Sequence, residues 1–196
     1  MPSYNIAINQ IDTDNEFFVW GCGQDLRRFN GSSWEYYNYT NSAVPSSSPY
    51  YLDTRSISID PEEKVWCGVA QGPTAGLNEV AVFYVNSNDV YEGQSWNFSD
   101  LGTFNEPQEI SHIYASPFGD DILAFSTPLN GVGGTGASGY VSSEITGVTG
   151  GRMFYHLKET DEWKETAPDY IWPHVYDIKA KGYDGKDYFY YFGTAE

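Results

Sequence analysis

"LRRFNGSSWEYYNYTNSAVPSSS", residues 26–48, holds a short charged strand, an Asn-Gly turn, a tryptophan, an aromatic alternation and a Ser/Pro tail. Asn30-Gly31 is a strong short-range hairpin signal, and the alternating aromatics of "WEYYNYT" suit a half-buried strand. Whether this phrase stands alone or recurs decides the fold.

It recurs, as one member of a set of phrases in constant order. A first phrase of alternating apolar residues reads "IAINQID" at 6–12, "SISID" at 56–60, "ISHIYAS" at 110–116 and "VYDIKAKGYDG" at 175–185. A second, more apolar phrase reads "FFVWGCG" at 17–23, "KVWCGVA" at 64–70, "DILAFST" at 121–127 and "DYFYYFGT" at 187–194. A third follows at 26–30, 80–86 and 152–158. A fourth, with tryptophan near its start, lies at 32–40, 94–100 and 161–167, and Pro45, Pro107 and Pro168 come after it.

Each unit is thus expected to be a small twisted sheet with two apolar faces that it cannot bury alone. Radial stacking of such sheets gives an all-β fold, a β-propeller of four-stranded antiparallel blades, with a β-sandwich as the alternative. The expected blades are 4–42, 54–103, 109–168 and a half-blade at 174–194, about three and a half in one domain spanning 1–196. Fourteen strands do not divide into whole blades. The pattern therefore leaves open edges, to be covered by further residues of a longer polypeptide or, failing that, by a partner chain.

Trp34 and Trp96 lie 62 residues apart, and Trp96 and Trp163 lie 67 apart. Both intervals exceed the roughly 40–50 residues of compact blades. The excess falls in "PTAGLNE" at 73–79 and in the Gly-rich stretch 128–151, both between second and third phrases, where insertions would emerge on one face.

Aromatics form 17% of the chain, and 20 Gly and 10 Pro leave little room for long helices. A net charge of −17 repels phosphate and anionic lipid, so neither nucleic acid nor membrane is an expected partner. No apolar run approaches a membrane span, and "MPSYNIAINQID" has no secretory character, so the expectation is synthesis in a cytoplasm. Cys22 shares a strand face with Trp20, whereas Cys67 alternates with Trp66; reduced, partly buried thiols without a disulfide are expected.

"DLRRFNGSSWEYYNYTNSAVPSS" followed by "RSISIDPEEKVWCGVAQG" resembles the two-component-regulator type of propeller repeat. Leu26, Arg28, Phe29, Asn30, Gly31, Trp34, Tyr37, Asn41, Ser42, Pro45, Ser46, Ile59, Asp60, Val65, Trp66 and Gly68 occupy the places of its pattern. In that family the propellers are periplasmic sensors. Acidic, Tyr-, Asn- and Ser-rich chains with similar repeats also resemble structural proteins of tailed, particularly marine, bacteriophages. That second setting fits the acidity and the missing signal better, and it implies a virion location.

Candidate chemistry is sparse. "GVGGTG" at 131–136 satisfies G-x-G-x-x-G but opens no helix, so no nucleotide cofactor is expected. "DTDNE" at 12–16 and "SPFGDD" at 116–121 gather carboxylates as calcium ligands do, yet both fall at turns that want Asp for local hydrogen bonds; no metal is expected. His112, His156 and His174 lack ligand spacing, and no nucleophile elbow occurs. Trp20, Trp34, Trp66, Trp96 and Trp163 recur with the repeat and read as packing residues. Tyr140 and Trp172, outside the strand phrases, are the candidate partner or glycan contacts.

The expected function is a non-enzymatic virion structural protein, a tail, fibre or neck component docking to other virion proteins or to further copies of itself. A carbohydrate- or receptor-binding module for a host surface glycan is the alternative, and a polysaccharide hydrolase the third reading.

Overall fold

The computed structural model describes residues 8–46, 52–71, 79–104, 108–116, 121–128, 152–166, 175–183 and 187–194. Every phrase of the repeat is a strand. The first sheet contains β1 (Ile8–Thr13), β2 (Val19–Gly23), β3 (Asp25–Phe29) and β4 (Trp34–Tyr37), paired antiparallel in chain order. The second contains β5 (Thr54–Ile59), β6 (Lys64–Val69), β7 (Val80–Asn86) and β8 (Gly93–Asn97); the third contains β9 (Gln108–Ala115), β10 (Ile122–Pro128), β11 (Arg152–Leu157) and β12 (Glu162–Thr166). A hairpin of β13 (Val175–Tyr183) and β14 (Asp187–Thr194) follows. The single helical turn α1 (Phe98–Leu101) closes the second sheet.

The first strands of successive sheets lie side by side: β1 against β5, β5 against β9, and β9 against β13. Side chains tie them where backbone pairing is absent. Gln10 and Asp12 of β1 accept from the Ile57 and Ile59 amides at 3.1 and 2.9 Å. One sheet on, Ser56 donates to the Ile110 carbonyl at 3.0 Å and Ser58 accepts from the Ala115 amide at 3.0 Å. This is why Ser56 and Ser58 are buried although polar: the serine hydroxyls replace ladder bonds between strands of different sheets.

Alternation gives every sheet a leading face, toward the next sheet in the chain, and a trailing face. Trp20, Cys22, Leu26 and Tyr37 on the first sheet's leading face pack with Ile57, Val65, Cys67, Phe83 and Val85 on the second sheet's trailing face. Trp66, Val82 and Trp96 on the second sheet's leading face pack with Ile122, Ala124, Phe154 and Trp163 on the third sheet's trailing face. Leu123, Phe125 and Met153 form a smaller cluster on the third leading face. The rule of assembly is leading face onto trailing face, applied twice. Among the described residues, the sheets are not closed on one another.

Both cysteines are free and buried. They do lie on opposite faces relative to their tryptophans, but stacking sets a leading face on a trailing one, so the two thiols enter the same cluster. Burial pushes the Cys22 thiol up to about 12, and Cys67 well above its ordinary value, leaving both protonated and unreactive.

Candidate functional site

A clasp repeats at the turn between the first two strands of a sheet. Asp14 Oδ1 accepts from the Glu16 and Phe18 amides at 3.1 and 2.9 Å, while Oδ2 accepts from Trp20 Nε1 at 2.7 Å. In the second sheet, Asp60 Oδ1 accepts from Glu62 and Lys64, both at 2.9 Å, and Oδ2 from Trp66 Nε1 at 2.9 Å. Phe17 and Glu63 sit at the same place in the two turns with φ of 64° and 65°, held in the left-handed region by the clasp. The acids of "DTDNE" are thus taken up by the fold: Asp14 caps its turn and orients an indole, and Asp12 links β1 to β5. Among the described residues, no group of three or more His, Cys, Asp or Glu side chains is arranged to hold a metal ion.

Above each clasp lies the interface with the next sheet, and the two interfaces are filled differently. Between the first and second sheets, the Arg28 guanidinium stands 5.0, 5.4 and 5.6 Å from the ring centroids of Phe18, Trp20 and Tyr37. Its Nε and Nη2 donate to Glu35 Oε2 at 3.0 and 2.7 Å, and Nη1 donates to the Ser87 carbonyl at 3.1 Å. Bonds from Tyr37 and Arg28 hold the Glu35 carboxyl below the ordinary carboxylate range.

Between the second and third sheets the equivalent residues are exchanged: Lys64 stands where Phe18 does and Tyr84 where Arg28 does. Lys64 Nζ lies 5.2 Å from the Tyr84 ring centroid. Glu62 bridges the sheets, accepting from Lys64 at 2.9 Å and from Lys158 at 2.5 Å, and these two ammonium groups bring its carboxyl down to about 2. Asp161 meets His156 at 3.0 Å and accepts from Gln94 of the second sheet. Burial holds His156 below its ordinary value, against the pull of Asp161, so the ring is neutral at pH 7. A cleft of about 200 Å³ remains, with Trp66, Tyr84 and His156 in its wall and Glu62, Lys158 and Asp161 at its rim.

A second titratable group surrounds Arg55 at the start of β5. Its Nη2 pairs with Asp53 at 2.6 Å and its Nε stands 3.7 Å from Glu109. Burial raises both carboxyls above their ordinary values.

The remaining feature is a surface. On the first sheet's trailing face, Ile11 is 58%, Trp34 47% and Tyr36 37% exposed. The Phe29 and Trp34 rings meet in a tilted arrangement with centroids 5.2 Å apart, and the Arg27 guanidinium lies 5.3 Å over Tyr36. This corrects the sequence reading of Trp34, which grouped it with Trp96 and Trp163 as a packing residue. Trp96 pairs with Val82 on a leading face, whereas Trp34 pairs with Phe29 on a trailing face that no described sheet covers.

Tyr140, Trp172, His174 and the "GVGGTG" stretch lie outside the described residues. The groups the structure does assemble escaped sequence reasoning: Arg28 faces Glu35 across the β3–β4 ladder, whose register the sequence left open, and Glu62 meets Lys158, and Asp161 meets Gln94, only through sheet stacking. The one available signal was the spacing Asp14-to-Trp20 and Asp60-to-Trp66, identical in the two units. Comparison with protein-family models and with curated proteins finds no match to this chain.

Proposed function

We propose that this chain is a non-enzymatic module of the β-propeller type, a structural component of a bacteriophage particle, and that it works by docking through exposed sheet surfaces. The observation that supports docking is the aromatic trailing face of the first sheet. On the second sheet the equivalents of Ile11, Arg27 and Phe29, which are Ile57, Phe83 and Val85, are buried, while Gly93 and Ser95 at the places of Trp34 and Tyr36 are exposed but small; Trp and Tyr on an exposed face are the residue types enriched at protein contacts. The non-enzymatic reading draws on the carboxylates of the inter-sheet cleft. Glu62 is held ionised by two lysines, the opposite of what a general acid at neutral pH requires. The viral setting rests on the sequence resemblance and on the acidity.

The test is incorporation of Trp34→Glu into particles. Trp34 is half exposed, so the variant keeps its fold by circular dichroism; docking through this face predicts that it is left out of the assembly. A variant incorporated as well as the parent contradicts the reading.

A second reading, binding of a host glycan, draws on the cleft beside Trp66 and Tyr84, where planar polar side chains surround aromatic rings. Calorimetric titration with a panel of oligosaccharides, and loss of any binding in Tyr84→Ala, would promote it over docking.

A further inference from the structure

We propose that the cleft between the second and third sheets is a site for one neutral pyranose ring. The inference rests on the glycan reading, independently of docking, and gives that reading its subsite and its ligand class.

Across the β3–β4 ladder of the first sheet stand Arg28 and Glu35; at the same places the second sheet has Tyr84 and Gln94. Arg28 spends its donors on Glu35 and the Ser87 carbonyl, and its guanidinium fills the place above the clasp. Tyr84 and Gln94 keep hydrogen-bonding capacity. Gln94 gives one N–H to Asp161, which leaves its second N–H and its carbonyl oxygen, and the Tyr84 hydroxyl makes no hydrogen bond among the described residues. At the rim, Lys64 spends one N–H on Glu62 and keeps the others, while the Glu62 and Asp161 carboxylates each accept two bonds where a carboxylate can take about four.

The charges oppose ionic ligands of either sign. An anion in the cleft would face Glu62 and Asp161, and a cation would face Lys64 and Lys158. A hydroxyl both donates and accepts, and adjacent hydroxyls on a ring match a rim on which donors and acceptors alternate. Behind the rim, the Tyr84 ring, Ile122 and the neutral His156 ring form a wall for the C–H face of a sugar. The volume of about 200 Å³ corresponds to about six waters at roughly 30 Å³ each, enough for one ring rather than a run of them. Glu62, Lys158 and Asp161 are exposed, so the rim opens to solvent.

Saturation-transfer NMR of the full chain with the methyl glycosides of glucose, galactose and mannose, and with glucuronate and glucosamine, tests this. The expected result is binding of a neutral methyl glycoside with an affinity that is the same at low and high salt, and a loss of about fivefold or more in Gln94→Ala and in Tyr84→Phe, with circular dichroism unchanged. Tyr84→Phe keeps the ring against Trp66 and Trp96 and removes only the hydroxyl, so it separates binding from packing. No transfer to any of the neutral glycosides overturns the inference, as does tighter binding of glucuronate or glucosamine, or an affinity that neither variant lowers. Oligosaccharide binding that persists in both variants removes the cleft and leaves the glycan reading standing; no binding of monosaccharide or oligosaccharide removes both.

Discussion

The two interfaces between the described sheets share a scaffold and differ in filling. Both carry an Asp–Trp clasp, both stack an aromatic pair on the leading face (Trp20 on Tyr37 and Trp66 on Trp96, each at 5.6 Å), and both join leading to trailing faces. In the first, Arg28 fills the place above the clasp and its charge is taken by Glu35 and the Ser87 carbonyl. In the second, the cation has moved to Lys64, its aromatic support to Tyr84, and a cleft remains. The comparison teaches that clasp and stacked pair recur with the architecture, whereas the residues beside the clasp tryptophan, two places before it and directly across from it on the next strand, differ and set what each interface presents.

The largest expected effect separates scaffold from filling. Trp66 contacts Trp96, Tyr84, His156 and Trp163, and Trp66→Ala is expected to cost about 3–5 kcal/mol in urea unfolding. Truncating Tyr84, which is half-buried at the cleft, should cost clearly less; equal losses would erase the distinction.

Gly68 gives the next test. A Cβ there would meet Ile110 Cγ2 and Ser56 Oγ at 2.5 Å, so Gly68→Ala is expected to cost about 1–3 kcal/mol through overpacking. At the matching place the first sheet carries Cys22, whose side chain finds room in its interface. A neutral Gly68→Ala would mean that the second interface is no tighter than the first.

The clasps should differ in strength. Asp14 is 6% exposed and Asp60 is half-buried. Removing either leaves an indole N–H and two turn amides without their acceptor, and Asp14→Ala is expected to cost about 2 kcal/mol, with Asp60→Ala costing less. The thermal midpoints of the two variants provide the ranking.

A smaller effect follows from His156. Its folded pKa lies below the ordinary 6.5, so as pH falls past about 6.5 the unfolded chain takes a proton that the folded chain refuses, and stability declines until the folded value is passed. Asp53 and Glu109, raised by burial, act oppositely at more acid pH: the folded chain takes their protons first and gains stability. Urea midpoints between pH 7 and 5.5 should therefore fall in the parent and stay flatter in His156→Gln.

Most of the strand order was legible in the sequence. Phrases such as "SISID" and "KVWCGVA" carry the two-residue period and are bounded by turn residues, and all of them are strands. Register was less legible. Tryptophan spacing equated Trp34 with Trp96, but the ladders put them on opposite faces because Trp34 opens β4 opposite Phe29, whereas Trp96 stands three places further along β8, at the position that Tyr37 holds in the first sheet. The binding surfaces were the least legible. Exposure of Ile11 and Trp34 depends on which face lacks a neighbour, and the meeting of Cys22 with Cys67, or of Glu62 with Lys158, depends on stacking between residues 45 and 96 positions apart.

Oxidative footprinting of tryptophan, on the isolated chain and on the assembly from its native source, tests the central claim most directly. Trp34 is 47% exposed, while Trp20, Trp66, Trp96 and Trp163 are buried, so among these five Trp34 alone should react readily in the isolated chain. Docking through the first sheet predicts that Trp34 becomes protected in the assembly. A Trp34 that oxidises equally fast in both states would contradict it.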